Sequence, residues 1–257
     1  MTARLGRADL HIHTLASDGT SGIVEILDQV ERADQLDVIA ITDHERIDAA
    51  LAARAIALER GMTTEVIVGE EVTTLGGHLL ALFIGERVRP LRTLRTTIAE
   101  IHEQGGIAIP AHPLVPYPLC AQGWVLRGLI RDPDPRVRPD AIEAFNPTTL
   151  GRPWHGRVVR FAAEHGLPTV GSSDAHAAEA IATGWTTFPG RTADDLRTAI
   201  LEGRTHHHGS FHGTASQVGT FGKQLRKYGR DARDTALGRI RRDGTGRDLG
   251  YPEHHRR

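Results

Sequence analysis

Short apolar runs alternate with helix-period segments along most of the chain. Asp9–His13 reads as a first strand, and the segment after it places Ile23, Ile26, Leu27 and Val30 on one helical face, with Thr20 or Ser21 positioned to cap it. Val38–Thr42 is a buried strand, and the Ala-rich stretch Ile47–Arg60 is a helix ended by Gly61. Glu65–Val72 and His78–Ile84 read as strands joined by a turn at Gly76-Gly77, a hairpin. A helix over Leu91–Gln104 stops at Gly105-Gly106, and Ile107–Pro110 is the next strand. Leu114–Pro139 is proline-rich and irregular, with one helix around Val125–Ile130. Strands return at Ala141–Phe145, Pro168–Gly171 and Trp185–Phe188, with helices at Trp154–His165 and Thr192–Glu202.

Repeated strand–helix alternation predicts a parallel sheet, of which a closed barrel is the simplest form. The polar residues that interrupt the pattern fall at the strand ends. They are Asp9-Leu10-His11-Ile12-His13, Ser17-Asp18-Gly19, Thr42-Asp43-His44, Gly69-Glu70-Glu71, Gly77-His78, Ala111-His112-Pro113 and Ser173-Asp174-Ala175-His176. Imidazole and carboxylate together form the ligand set of Zn, Mn or Fe, and so many of them imply more than one ion. On a strand, His11 and His13 face the same side and can reach one ion. Asp43 points away from His44 if its strand persists, and so reads as a partner behind the site. His78 also has a structural reading, and Asp18 also reads as a turn residue.

The 257 residues, 39% of them hydrophobic, suffice for one sizeable core. Cys120 is the only cysteine, which excludes an internal disulfide and a thiolate cluster. No segment resembles a secretory leader or a membrane span, so a cytoplasmic protein is expected. After residue 205 there are eleven Lys and Arg against five Asp and Glu, about +6, which leaves about −7 for the rest at a net charge of −1. An acidic body suits a site for several cations. Residues 206–257 form a basic, Gly-rich tail, expected to be partly helical over Val218–Ile240 or disordered. Few aromatics are interleaved with its basic residues, chiefly Phe221 and Tyr228, so nucleic acid is disfavoured as a partner. His206, His207 and His208 read as a solvated strand end, and His102, His155 and His165 as helix-surface or helix-end residues.

Taken in order, D-L-H-I-H-T, S-D-G, I-T-D-H, G-x-E, G-H-L, A-H-P and S-D-A-H resemble the PHP (polymerase and histidinol phosphatase) family, in particular its small stand-alone metal-dependent phosphoesterases. The resemblance covers roughly residues 7–205 and implies a distorted (β/α)7 TIM-like barrel with two or three divalent ions at the strand ends. It implies His11, His13, Glu71 and Asp174 around one ion, Asp18, His44 and His176 around a second, and His78 and His112 around a third, with Glu71 bridging. Glu70 stands where the family pattern has an apolar residue and is the substitute ligand if the register differs. The implied activity is hydrolysis of a small phosphorylated substrate by a metal-bridging hydroxide, with Asp174 and His176 nearest the chemistry. Asn146 and Arg152 are candidates to contact the substrate. Hydrolysis of carboxylic esters or carbamates with the same ions is the alternative, and a metal-binding module without turnover is the second. Relatives resembling nucleotide phosphatases and exonucleases carry an inserted domain between the G-H-L and A-H-P strands. Here that stretch has room for one helix.

Overall fold

A computed structural model of the chain describes residues 5–148 and 151–211. The helix expected over Val218–Ile240 lies outside the described residues. The element order is β1 (Gly6–Ile12), α1 (Ile23–Ala33), β2 (Val38–Ile41), α2 (Asp48–Arg60), β3 (Glu65–Thr74), β4 (Gly77–Leu82), α3 (Leu94–Glu103), β5 (Ile107–Pro110), α4 (Gly123–Ile130), β6 (Ile142–Phe145), α5 (His155–His165), β7 (Thr169–Gly171), β8 (Gly184–Phe188), α6 (Ala193–Leu201) and β9 (His206–Gly209). Each strand and helix expected within these residues is present, with ends displaced by a few residues at most. The interior between β4 and β5 holds α3 and turns, with no inserted domain.

The result is a mixed α/β fold. Seven strands form one sheet in the order β5-β4-β3-β2-β1-β8-β9, and β6-β7 form a second. The sheet is not the uninterrupted parallel ladder that the alternation predicts. The pairs β1–β2, β2–β3 and β6–β7 are parallel, whereas β1–β8, β3–β4, β4–β5 and β8–β9 are antiparallel. For β3–β4 the cause is connection length, because a parallel neighbour needs a crossover of a dozen residues or more. Thr74 pairs with Gly77, leaving only Leu75 and Gly76 as the loop, so β4 must run back along β3. Gly77 has φ +125, and a Cβ there would lie 2.4 Å from the Ala121 backbone nitrogen, which excludes a larger residue.

The large sheet curls into a half-barrel, and the small sheet lies near both of its ends. Asp140, leading into β6, donates its backbone N–H to Ala108 of β5, while Thr186 Oγ1 of β8 bonds both the N–H and the carbonyl of Gly171 in β7. Inside the curl, Leu10, Val38, Ala40, Ile67, Leu80, Leu82, Ile109 and Val170 pack with Phe188. Outside it, Ile26, Leu27 and Val30 of α1 and Ala49, Ala50, Ala53 and Ala57 of α2 cover one flank, and α3, α4 and α5 cover the other. The expected cap of α1 differs: Gly22 takes that position without a side-chain bond. Thr20 Oγ1 instead donates to the His176 carbonyl and Ser21 Oγ accepts from Ala178 N–H, so both hydroxyls hold a distant loop. Thr192 caps α6 in a reciprocal bond with Asp195.

Glu70 is buried against the outer layer, where it accepts from Val88 N–H at 2.8 Å and lies 3.6 Å from Arg87. Burial raises its carboxyl to about 7. The folded state therefore holds a proton that the unfolded chain has released above the ordinary glutamate range. Stability falls as pH rises from about 4.5 to 7, and above that the whole loss remains. Urea unfolding of metal-free Glu70→Gln should show the variant gaining on the native protein by an order of 3 kcal/mol between pH 4.5 and 8. A difference independent of pH would mean that Arg87 keeps Glu70 ionised.

Candidate metal centre

Leu10 and Ile12 pack in different cores, because the pairing of β1 with β2 shifts register between Asp9 and Ile12. Past that irregularity His11 and His13 flank Ile12 and share one face. The loop after β7 docks on the end of β1: Ala175 N–H donates to the His11 carbonyl, and His13 N–H to that of Ala175. Asp9 fixes the same loop by accepting from the backbone N–H of Ser173 and Ala182, both at 2.9 Å. Asp174 is thereby brought beside the His-x-His pair. Gly19 is needed for close approach, since a Cβ there would lie 2.4 Å from the His13 carbonyl oxygen. That contact folds the Ser17-Asp18 turn back over the strand end.

All nine residues named as ligands converge. His11 Nε2 and His13 Nε2 lie 3.1 and 3.2 Å from Glu71 Oε2, and 3.5 and 3.4 Å from Asp174 Oδ1. His44 Nε2 is 3.4 Å from the same Glu71 oxygen. His78 Nδ1 and His112 Nε2 approach the other one, Oε1, at 2.7 and 3.1 Å. Asp18 lies 3.3 Å from His13 Nδ1 and 2.9 Å from His176 Nε2. Glu71 therefore spans two sets of imidazoles. Four triads have donor atoms within 4.8 Å of one another: His11–His13–Asp174, His13–His44–Glu71, His13–Asp18–His176 and Glu71–His78–His112. His13 joins Asp18 and His176 in one of these groups, and His44 Nε2 lies 3.8 Å from Asp18 Oδ2.

The donor set fits divalent cations. His11 Nε2, His13 Nε2 and His78 Nδ1 are buried with no directed hydrogen-bond partner, although carboxylate oxygens lie close to each. Buried ring nitrogens aimed at carboxylates without hydrogen-bond geometry are what an ion between them satisfies. The protein alone compensates with protons. Burial disfavours a charged His13, but Asp18, Asp174 and Glu71 outweigh it and push the imidazole up to about 10. His11 is also raised against its burial, by Asp174, Glu71 and Glu143. Reciprocally, the imidazoles hold Glu71, Asp18 and Asp174 well below the carboxylate range despite burial. His44 goes the other way, because burial and neighbouring His13 lower it more than Glu71 raises it.

Asp43 accepts from Thr14 N–H and Thr14 Oγ1, both at 2.8 Å, and from Ser17 Oγ, so it shapes the turn that carries Asp18. Glu70 faces away from the cluster, as the register with Glu71 as ligand requires. Asn146 borders a narrow cavity of about 20 Å³ beside the cluster, lined also by His112, Pro113, Glu143, Gly151 and His155. Its amide nitrogen donates to Glu143 and Asp174. Arg152 is not among the lining residues, and its guanidinium lies 5.6 Å over the Phe211 ring. His155 opens α5 with Nδ1 on the Ala144 carbonyl, and His102 bonds Asp140 and the Arg136 carbonyl.

Two residues at the site escape the sequence reading. Glu143, fully buried, bonds His11 Nδ1 at 3.0 Å. The available signal was a charge within the four-residue apolar strand Ile142–Phe145. Cys120, placed by sequence in the irregular segment, is buried with its Sγ 3.4 Å from His112 Nδ1. Nothing in its neighbours Leu119 and Ala121 announces that contact.

Adding Zn or Mn must displace the proton from a coordinating imidazole. In chelator-stripped protein, ring NMR signals of His13 should report a protonated imidazole up to about pH 10. One equivalent of metal at pH 7 should convert that ring to its neutral form. A His13 that titrates near 6.5 in stripped protein would contradict the electrostatic picture.

A family model described as PHP-associated matches residues 152–205. An uncharacterized protein of Methanocaldococcus jannaschii is 35% identical over 150 residues, covering 54% of this chain and 81% of its own. Among solved structures, a two-domain protein containing a predicted PHP-like metal-dependent phosphoesterase, from Bacteroides vulgatus, superposes with TM-score 0.66 at 19% identity, over 86% of this chain and 70% of that one. An amidohydrolase from Chromobacterium violaceum superposes with TM-score 0.54 at 18% identity, over 77% of this chain and 97% of that one. At these identities the two solved structures show a shared fold.

Proposed function

We propose that this chain is a PHP-family metal-dependent hydrolase of small phosphoesters, working with two or three divalent ions. The curled sheet and its two-stranded companion are read as the distorted barrel of that family. One observation carries the reading: three buried, unpartnered ring nitrogens and the carboxylates of Glu71 and Asp174 meet at the strand ends. His11, His13, Glu71 and Asp174 would hold one ion. Asp18 and His176, with His13 or His44, would hold another, and His78 and His112 a third that shares Glu71. Zn, Mn and Fe all suit such donors. Bound there, the ions supply a water acidic enough to ionise near neutral pH and positive charge for phosphoryl oxygens.

The chain's own residues do the rest. His176 donates from Nδ1 to the Asp174 carbonyl, which turns Nε2 toward Asp18. With Nδ1–H spent on that carbonyl, Nε2 presents its lone pair beside Asp18 as an ion ligand. In this reading the leaving oxygen takes its proton from water, while Asp174 keeps the facing imidazoles in place. Asn146, beside the cluster, and Arg152, one residue beyond Gly151, would contact the non-reacting part of the substrate. The path from β4 to β5 holds α3 and turns, with no capping domain above the cluster, which favours small substrates over nucleic acid. The structural likeness to an amidohydrolase supports a second reading, in which the same centre attacks a carbonyl.

Protein loaded with Zn or Mn should hydrolyse p-nitrophenyl phosphate or bis-p-nitrophenyl phosphate in preference to p-nitrophenyl acetate. His11→Ala and Asp174→Ala should each lower that rate by more than about 100-fold, since even losing a partner behind a ligand typically costs 10–100-fold. Cleavage of the acetate alone would move the assignment to the carbonyl reading. Full activity after chelation would remove the metal centre from the mechanism.

A further inference from the structure

Glu143 is a charged side chain buried in β6, and four donors converge on it. Oε1 accepts from His11 Nδ1 at 3.0 Å and from Ser172 Oγ at 2.5 Å. Oε2 accepts from the backbone N–H of His112 at 2.6 Å and from Asn146 Nδ2 at 3.0 Å. An ionised carboxylate has about four acceptor positions and no donor, so this one is saturated. His11 holds it below the ordinary glutamate value in spite of burial.

Each bond has a consequence at the centre. With Nδ1–H given to Glu143, a neutral His11 presents its lone pair at Nε2, the unpartnered nitrogen that faces Glu71 and Asp174. His112 has φ +31, a conformation that L residues avoid, and its N–H is gripped by Glu143. Asp174, at φ +50, is reached through one amide: Asn146 Nδ2 bonds both Glu143 and Asp174 Oδ2, the latter at 3.2 Å. Asn146 Oδ1 accepts from Thr148 N–H, which fixes the direction of that amide. Two candidate ligands in strained backbone and one at the irregularity of β1 are thus tied to a single carboxylate.

We propose that Glu143 is the positioning residue of the metal centre, selecting the metal-ready tautomer of His11 while locking the backbone of His112 and, through Asn146, the carboxylate of Asp174. It touches no reacting atom in this role. Because His11 and Asp174 belong to one triad and His112 to another, Glu143 makes the sites interdependent. The proposal rests on the metal-holding part of the functional reading, and its readouts do not involve turnover.

The test compares Glu143→Gln, Asn146→Ala and, as a buried carboxylate on the other side of β3, Glu70→Gln. Zn affinity is measured by chelator competition, and the His11 ring by nitrogen-detected NMR of Zn-loaded protein. Glutamine would place an NH2 against two donors or two N–H groups against one another. Glu143→Gln should therefore weaken the tightest Zn binding 10–100-fold and move the His11 Nδ1–H proton out of its far-downfield, carboxylate-bonded position. Asn146→Ala should weaken binding less and leave that proton in place, and it keeps the proposal testable if Glu143→Gln does not fold. Glu70→Gln should change neither. Native Zn affinity and an unmoved proton in Glu143→Gln would overturn the positioning role, as would an Asn146→Ala indistinguishable from the native protein. Failure of the native protein to bind Zn would overturn the metal reading itself, a different outcome.

Discussion

The structure is organised around two carboxylates, Glu71 and Asp174, that sit almost dry among imidazoles. Moving an isolated carboxylate out of water is costly enough that such a group either finds compensating charge or takes a proton. Here the neighbouring histidines compensate, and their own protonation rises because the carboxylates are there. The cluster is consequently a charge-balanced unit. Remove the acid and the imidazoles repel one another; remove the imidazoles and the acid is stranded. Everything that places these groups, from the alternation in β1 to the hairpin of β3 and β4, is therefore under electrostatic as well as packing constraint.

Much of this was readable in the chain. Ile23, Ile26, Leu27 and Val30 recur at helical spacing and form the buried face of α1. Thr74–Gly77 reads as a hairpin because two glycines interrupt two strand-like runs. The clustered His and Asp residues identify the site because period-two alternation fixes which side chains share a face. Direction within the sheet was less readable. Alternation suggested parallel strands outside the β3–β4 hairpin, but the antiparallel placement of β8 and β9 depends on how the chain returns after β7, which no local pattern encodes. Thr20 and Ser21 look like helix caps because their local role is the only one visible in sequence. Their actual partners, His176 and Ala178, lie more than 150 positions away.

Glu143 shows the same limit more sharply. One charge in a short apolar strand reads as an imperfection until the fold brings His11 and the His112 loop to it. Its value lies entirely in long-range neighbours, so periodicity cannot find it. Asp43 differs because the Thr-Asp-His sequence itself implies opposite faces, and its role beside Thr14 and Ser17 follows. Residues that carry a centre are legible when strand geometry alone aims them. Residues that hold those carriers still are legible only once tertiary contacts exist.

The docking of the Asp174 loop on the end of β1 has a consequence for how the chain acquires its structure. Ile12 and Ala175 pair as a short parallel bridge although 163 positions separate them. Closing a loop of that length in an unfolded chain carries an entropic cost on the order of 4–5 kcal/mol. During synthesis the His-x-His strand emerges long before its partner loop exists, and contacts of this separation form slowly. An ion gripping both segments would act as a cross-link between the two ends of the fold. Its largest effect would then be on the unfolded ensemble, by removing most of the conformations in which those ends are apart.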